Sequence, residues 1–398
     1  MVDTATKPRS VSGHPLAIIE RIIADVELSP GQYADAKSSY EAVAAVLSRA
    51  TSQILVYCPS IHPHGSMRAG TTVRPPVQDR FDLDMLCLLS AASGKIYTPE
   101  QIYKWVWDAL GEDATYRRMR QRRARCIRIE YEDSRKYYLD VVPAVPDWVR
   151  QSSSIYIPDR ELKVWCSSHP IAYVDDWFKK AAEKLPTFGS IAIMNARSMT
   201  LNASVEPLPD YGEFEKKPLQ RIVQLAKYNR NEHFQSDQEY QPNSVLLTTI
   251  ITHSYTETIK TPANNLFSFV ACVLEKLPDY IQVVGRDENS QFVVSNPVNP
   301  GENFAAKWTP EHYSQFLAWH RQLLQVFDEL RDSQGLGMDV MLNRLSESFG
   351  KEPVIRAAGA LGADADSLLH ARKLRADKTY GIIGMVGTII PRTTYFGE

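Results

Sequence analysis

Apolar and polar positions along this chain follow two different periods, and the place where the period changes divides it. Residues 14–28, HPLAIIERIIADVEL, and 33–50, YADAKSSYEAVAAVLSRA, space their apolar residues three and four apart. That spacing predicts two helices, separated by the helix-starting SPGQ. The pattern then turns strand-like. SQILVYC (52–58), FDLDMLCLLS (81–90), CIRIEY (126–131) and KYYLDVVPAV (136–145) read as strands, and PEQIYKWVWDAL (99–110) as a helix between the second and third. From about residue 160 the signals are mostly helical, at 169–184, 215–231, 243–258, 264–277, 309–333 and 336–349. Proline-rich breaks at 206–218 and 295–304 interrupt them. The fold class expected is α/β: a lobe built on a mixed sheet with N-terminal helices over residues 1–205, and a mostly helical second lobe over 206–398.

Composition narrows the classes. The chain has 398 residues, 44% apolar and 23% charged, with a formal net charge of −2, which is the profile of an ordinary globular protein. A pI near 6.5 argues against broad electrostatic binding to nucleic acid, while leaving room for a small anionic ligand in a local pocket. The five cysteines are odd in number and scattered, with no CxxC and no Cys/His cluster. Neither a disulfide framework nor a structural zinc site is indicated, and a reducing cytoplasm fits best. The opening MVDTATKPRS has no signal-peptide core, and GIIGMVGTII (381–390) is too short and glycine-rich to span a bilayer.

The chemistry concentrates between residues 64 and 89. In a strand, residues i and i+2 share a face, so Asp82 and Asp84 are neighbours while Leu83 and Met85 point the other way. Two adjacent carboxylates repel, and each resists desolvation. A divalent cation makes such a pair favourable, and Mg²⁺ completes its octahedron with water and phosphate oxygens. Asp140, in the apolar YYLDVVPAV, offers a third carboxylate, and two metals on three carboxylates can drive an in-line displacement. Upstream, Gly65 and Ser66 form a tight turn after a strand, where glycine lets the backbone approach a phosphate and serine adds a hydroxyl. No Walker A loop occurs.

HGSMRAGTTVRP followed by FDLDMLCLL and YLDVVPAV resembles the bacterial cyclic-oligonucleotide synthases, the cGAS/DncV-like nucleotidyltransferases (CD-NTases) of the polymerase-β superfamily. KPLQRIVQLAKYNRN (217–231), PNSVLLTTIITHSY (242–255), SNPVNPGENFAAKW (295–308) and IIPRTTYFGE (389–398) extend the resemblance in order through the second lobe. It implies a polymerase-β-like lobe and a helical lobe that completes a nucleotide cleft. It implies that Asp82, Asp84 and Asp140 are catalytic and hold two Mg²⁺ ions, or Mn²⁺, and that Gly65, Ser66, Lys227 and Ser244 hold the donor triphosphate. Val245 falls where some relatives stack an aromatic on the base, and His64 stands where many bacterial members carry glutamine.

The resemblance also implies an activity: joining NTPs into a cyclic di- or trinucleotide second messenger for bacterial antiphage (CBASS) signalling, read by a downstream effector. Some relatives have their C-terminal tail processed by a ubiquitin-ligase-like accessory protein, which makes the tail TTYFGE a candidate partner site. Two other readings stand beside it. One keeps the site but transfers the nucleotide to RNA, a protein or a small molecule; the other is a nucleotide-binding sensor without catalysis. Other features read as structural. RRMRQRRARCIR (117–128), with seven arginines in twelve residues, is expected as a solvated face partly paired with Glu130, Glu132 and Asp133. Trp105, Trp107, Trp177, Trp308 and Trp319 are expected in the core.

Overall fold

The protein is represented by a computed structural model. It describes residues 14–74, 80–131, 137–149, 154–161, 163–187, 216–285, 290–332 and 338–370, and three two-residue strands at 375–376, 383–384 and 388–389. The expected lobe boundary at 205/206 and the tail 391–398 lie outside the described residues.

The described residues open with α1 (His14–Asp25) and α2 (Pro30–Ser48). Ser29 starts α2 with a full capping box: its side chain accepts from Gln32 N while Ser29 N donates to Gln32 Oε1. Next come β1 (Pro59–Pro63), the short α3 (Gly65–Ala69), β2 (Phe81–Leu89), α4 (Pro99–Gly111), α5 (Ala114–Met119), β3 (Arg120–Arg122), β4 (Ile127–Glu130), β5 (Tyr137–Pro146), β6 (Ile155–Asp159) and β7 (Val164–Ser168). These seven strands form one mixed sheet. Its order is β1-β2-β5-β4-β3, with β6 on β5 and β7 on β6. β2 and β5 run parallel at its centre.

One face of that sheet is apolar. Leu83, Met85, Cys87, Leu139, Val141 and Val145 project into a cluster with Tyr40 and Leu47 of α2 and Ile102 and Val106 of α4. Alternation along β2 and β5 therefore leaves Asp82, Asp84 and Asp140 on the opposite face, followed toward the strand ends by Leu86, Val142 and Ala144 in a small second cluster.

The second lobe is helical. It comprises α6 (Pro170–Ala172), a π-helical segment at Tyr173–Phe178, α7 (Lys179–Ala182), α8 (Pro218–His233), α9 (Ser244–Thr258), α10 (Leu266–Glu275), α11 (Pro310–Asp332), α12 (Met338–Phe349) and α13 (Lys351–His370). Two small hairpins sit between α10 and α11: β8 (Gln282–Val284) with β9 (Gln291–Val293), and β10 (Ser295–Asn296) with β11 (Asn299–Asn303). Trp319 is fully buried, and Trp105, Trp107, Trp177 and Trp308 are partly buried against the cores. Among the described residues no helix is long and apolar enough to cross a membrane.

Three expectations change. SQILVYC is a 3₁₀ turn (Leu55–Tyr57) rather than a strand: Ile54 is buried, but Val56 is 75% exposed, and the strand pairing with β2 begins at Pro59. The stacking of Tyr57 on Trp105, with ring centroids 4.4 Å apart, holds the turn in place of a ladder. α1 and the segment 170–182, both expected in the first lobe, belong by packing to the helical lobe, where Ile18, Ile22, Tyr173 and Phe178 join the cluster of α8, so that lobe is not one contiguous stretch. Helix α13, with its internal proline and glycines, has no counterpart among the expected helices.

Candidate active site

Strand register brings the carboxylates together. Asp84 lies directly opposite Asp140 on the parallel neighbour, and Asp82 lies opposite Tyr138. Next to them β4 runs antiparallel to β5 and sets Arg128 opposite Asp140. The Arg128 side chain grips the acids: Nε donates to Asp140 Oδ1 at 2.8 Å, and Nη2 donates to Asp140 Oδ2 at 2.7 Å and to Asp82 Oδ1 at 3.1 Å. Its guanidinium also lies over the Tyr138 ring, 4.4 Å from the centroid.

The electrostatics are those of excess negative charge in a poorly solvated place. Burial, then Asp82 and Asp140, push the Asp84 carboxyl up to about 7, with Lys227 and Arg128 pulling against them. Asp82 is raised by the protein crowding around it and by Asp140, although its side chain is 60% exposed. Pairing with Asp140 holds Arg128 above its ordinary range.

The Gly-Ser turn meets this strand edge. His64 N donates to Asp84 O at 2.9 Å, so the chain leaves β1 still tied to β2 and enters α3 at once. Gly65 has φ +57°, in the left-handed region, and a Cβ there would lie 2.1 Å from Asp84 Oδ2. Only glycine lets the turn sit this close to the carboxylate. Ser66 Oγ accepts from Thr72 Oγ1 at 3.1 Å, and Ser66 O accepts from Thr71 N at 2.9 Å, folding the loop after α3 back over the turn. His64 Nδ1 is buried without a hydrogen-bond partner, and burial pushes the ring down to about 4, keeping it neutral.

The helical lobe supplies the opposite wall. Lys227 reaches from α8 to Thr71, with Nζ donating to Oγ1 at 3.1 Å and to the carbonyl at 3.4 Å. Burial and the neighbouring Arg230 push Lys227 down to about 7. Arg230 donates to Pro242 O at 2.6 Å and to Ser244 Oγ at 3.3 Å, and burial lowers it to about 10. Arg221 does not join them; it pairs with Glu27 at 2.9 Å. Ser244 opens α9 behind the N-cap Asn243, and Val245 follows it, half-buried. Between the walls runs a cleft of about 710 Å³, lined by Gly65, Ser66, Asp82, Asp84, Lys227, Ser244 and Val245, and also by Arg230, Tyr173 and Phe304.

Two features differ from expectation. The three carboxylates share a face, yet among the described residues no three acid, histidine or cysteine side chains close into a ready metal cage. Arg128 stands between Asp82 and Asp140 instead. The arginine run is also not a uniform solvated face: Arg120 and Arg122 lie over Trp107, Arg125 pairs with Asp159, and Glu130 pairs with Arg80. Glu132 and Asp133 lie outside the described residues. Arg128, Arg230, Tyr173 and Phe304 are cleft or site residues that sequence reasoning missed. For Arg128 a signal existed, since it is a charged residue between Ile127 and Ile129 at the polar parity of a buried strand.

Comparison with known proteins fits this geometry. A family model described as Second Messenger Oligonucleotide or Dinucleotide Synthetase domain matches residues 17–181. A c-di-GMP synthase of Roseivirga ehrenbergii is 30% identical over 336 residues, covering 84% of each protein. The chain belongs to the bacterial CD-NTase family. This CD-NTase is thus a nucleotidyltransferase, of mixed α/β fold. It is also 25% identical over 389 residues to the cyclic dinucleotide synthase CdnG of Bradyrhizobium diazoefficiens, covering 92% of this chain and 88% of that protein. The structure of the B. diazoefficiens CD-NTase CdnG in complex with GTP superposes with a TM-score of 0.64 at 21% identity, over 90% of this chain and 99% of that one. At that identity the match shows a shared fold.

Proposed function

We propose that this CD-NTase makes a cyclic dinucleotide from NTPs, with Asp82, Asp84 and Asp140 as its catalytic carboxylates. The observation that carries the reading is the register of β2 and β5, which sets Asp84 beside Asp140 and leaves Asp82 on the same face, with Asp82 and Asp84 lining a cleft whose far wall carries Lys227 and Arg230. The family and the relatives that make cyclic dinucleotides support the product class.

The donor set fits divalent metal. Three oxygen ligands suit a hard cation, and an Asp84 carboxyl raised to about 7 by burial and like charges is the state such a cation relieves. Asp82, Asp84 and Asp140 would hold up to two Mg²⁺ or Mn²⁺ ions. The chemistry such an ion would supply there is a lowered pKa for an attacking hydroxyl and neutralised charge on the transferring phosphoryl group.

The chain's own residues do the rest. Gly65 brings the turn amides within reach of a phosphate, and Ser66 adds a hydroxyl that already faces the cleft. Lys227 and Arg230 present cations from the other wall, with Ser244 beside Arg230. Held between the two walls, a triphosphate is oriented before reaction, and such positioning supplies much of the rate. Tyr173 and Phe304, whose rings meet edge to face at 6.0 Å, give the aromatic surface for a base that Val245 lacks. By family resemblance, the product serves CBASS signalling through an effector, and the tail 391–398 is the partner site for a ubiquitin-ligase-like protein.

The test is mass spectrometry of phosphatase-resistant products from purified protein with all four NTPs and Mg²⁺. A cyclic dinucleotide is expected, lost in Asp82→Asn and on chelation by EDTA. Linear or adducted products, or an active Asp82→Asn protein, would refute the assignment.

A further inference from the structure

One atom of Arg128, Nη2, sits within hydrogen-bond distance of two of the three carboxylates, 2.7 Å from Asp140 Oδ2 and 3.1 Å from Asp82 Oδ1. It lies where a cation shared by those two acids would lie. The Asp140 side chain is only 10% exposed and its two oxygens are both engaged by the guanidinium, whereas the Asp82 side chain is 60% exposed. The acids are therefore unequal. Asp82 and Asp84 line the cleft and can be reached from it, but an ion bridging Asp82 Oδ1 and Asp140 Oδ2 needs the place that Nη2 holds.

We propose that Arg128 is a gate on metal loading: a resident counter-cation that holds the place of an ion shared by Asp82 and Asp140 until a nucleotide brings further charge into the cleft. The inference rests on the metal assignment proposed above. Removing one cation from three clustered carboxylates without replacement is costly, so Arg128 stabilises the idle site. Because the guanidinium is a rigid plane, Nη2 leaves by a swing of the whole group away from Asp140 and Tyr138, which frees both Asp140 oxygens. A triphosphate with its divalent counter-ion would bring two things together: positive charge for the acids, from the ion, and phosphate oxygens to pair with the displaced guanidinium. Arg128 is in this sense a positioning residue, acting through Asp140 and Asp82.

The experiment is Mn²⁺ titration of the full chain, followed by electron paramagnetic resonance of the free ion, with and without a non-hydrolysable NTP. Wild type, Arg128→Gln, Arg128→Lys and Asp140→Asn are compared, each checked for folding by circular dichroism. Without nucleotide, Arg128→Gln should bind Mn²⁺ on the order of tenfold more tightly than wild type, the effect of removing one competing charge. Arg128→Lys, which keeps the charge but loses the fork, should fall between them, and nucleotide should narrow the gap. A folded Arg128→Gln protein that binds nucleotide-free Mn²⁺ no tighter than wild type overturns the gate. If Arg128→Gln does not fold, an Arg128→Lys protein that binds no tighter than wild type overturns it equally. If the wild type with nucleotide binds no Mn²⁺ beyond what the nucleotide holds by itself, or Asp140→Asn with nucleotide binds it as well as wild type does, the metal assignment falls and the gate with it.

Discussion

The α-carbon of Gly65 lies against the carboxylate of Asp84, close enough that a Cβ would stand 2.1 Å from Oδ2. This contact couples the Gly65–Ser66 turn to strand β2, and it has no room for any side chain. Gly65→Ala should therefore lose at least about 100-fold in activity through displacement of the Asp84 carboxylate. The left-handed backbone alone should lower stability by about 1–2 kcal/mol. Steady-state kinetics and urea unfolding check both, and near-normal activity would show that the turn tolerates movement.

Lys227 predicts a proton linkage. Burial and Arg230 lower it to about 7, so at pH 8 it is mostly neutral in the free protein. A bound triphosphate restores its charge, so nucleotide binding should take up close to one proton at pH 8 and far less at pH 6. Affinity should accordingly fall as pH rises above 7. Calorimetry in buffers of different ionisation enthalpy measures the uptake, which Lys227→Met should abolish. The sign for folding follows. Between pH 7 and 10.5 the unfolded chain binds the proton that the folded chain lacks, so this group makes stability rise with pH across that window. Lys227→Met should stabilise the nucleotide-free fold at pH 7, read as a higher melting temperature.

Phe304 and Tyr173 form the aromatic corner of the cleft. Tyr173 is pinned by its hydroxyl, 2.8 Å from Thr249 Oγ1, so its ring cannot swing to compensate for a lost neighbour. Base–aromatic stacking is worth about 1–3 kcal/mol, and Phe304→Leu should raise KM for nucleotide roughly tenfold with little change in kcat. An unchanged KM would place the base elsewhere in the cleft.

A fourth expectation concerns the helical wall. Trp319 Nε1 donates to Asn229 Oδ1 at 2.9 Å, and Asn229 Nδ2 donates to Ser348 O at 2.8 Å, joining α8, α11 and α12 through one buried amide. Asn229→Ala should cost about 1–3 kcal/mol, because it leaves the indole N–H unpaired. Denaturant unfolding reads it, and a loss under roughly 0.5 kcal/mol, the scale of a surface substitution, would show that water replaces the amide.

Much of the first lobe was legible because it depends on local periodicity. The alternation of FDLDMLCLL and YYLDVVPAV shows which residues share a face, and the Ser29–Gln32 capping box marks the start of α2. The Gly65–Ser66 turn is found where the sequence pattern puts it, although the strand before it starts at Pro59 instead of Ser52. The missed cleft residues are those whose meaning depends on a partner far away in sequence. Arg230 reads as one more charge on an amphipathic helix until the lobes close, and Phe304 as one more core aromatic.

The sequence by itself determined the parity of the three acids, the helix starts and the family, because a strand's two-residue period and a helix cap are properties of a few adjacent residues. Tertiary structure decided that Asp84 faces Asp140 in register, that α1 packs into the other lobe, that Lys227 is buried enough to shed its proton, and that a guanidinium from β4 rests between two of the acids. Those outcomes arise from strand pairing and lobe closure. Charges that meet there are set by neighbours brought from far along the chain, as Lys227 and Thr71 are, 156 residues apart.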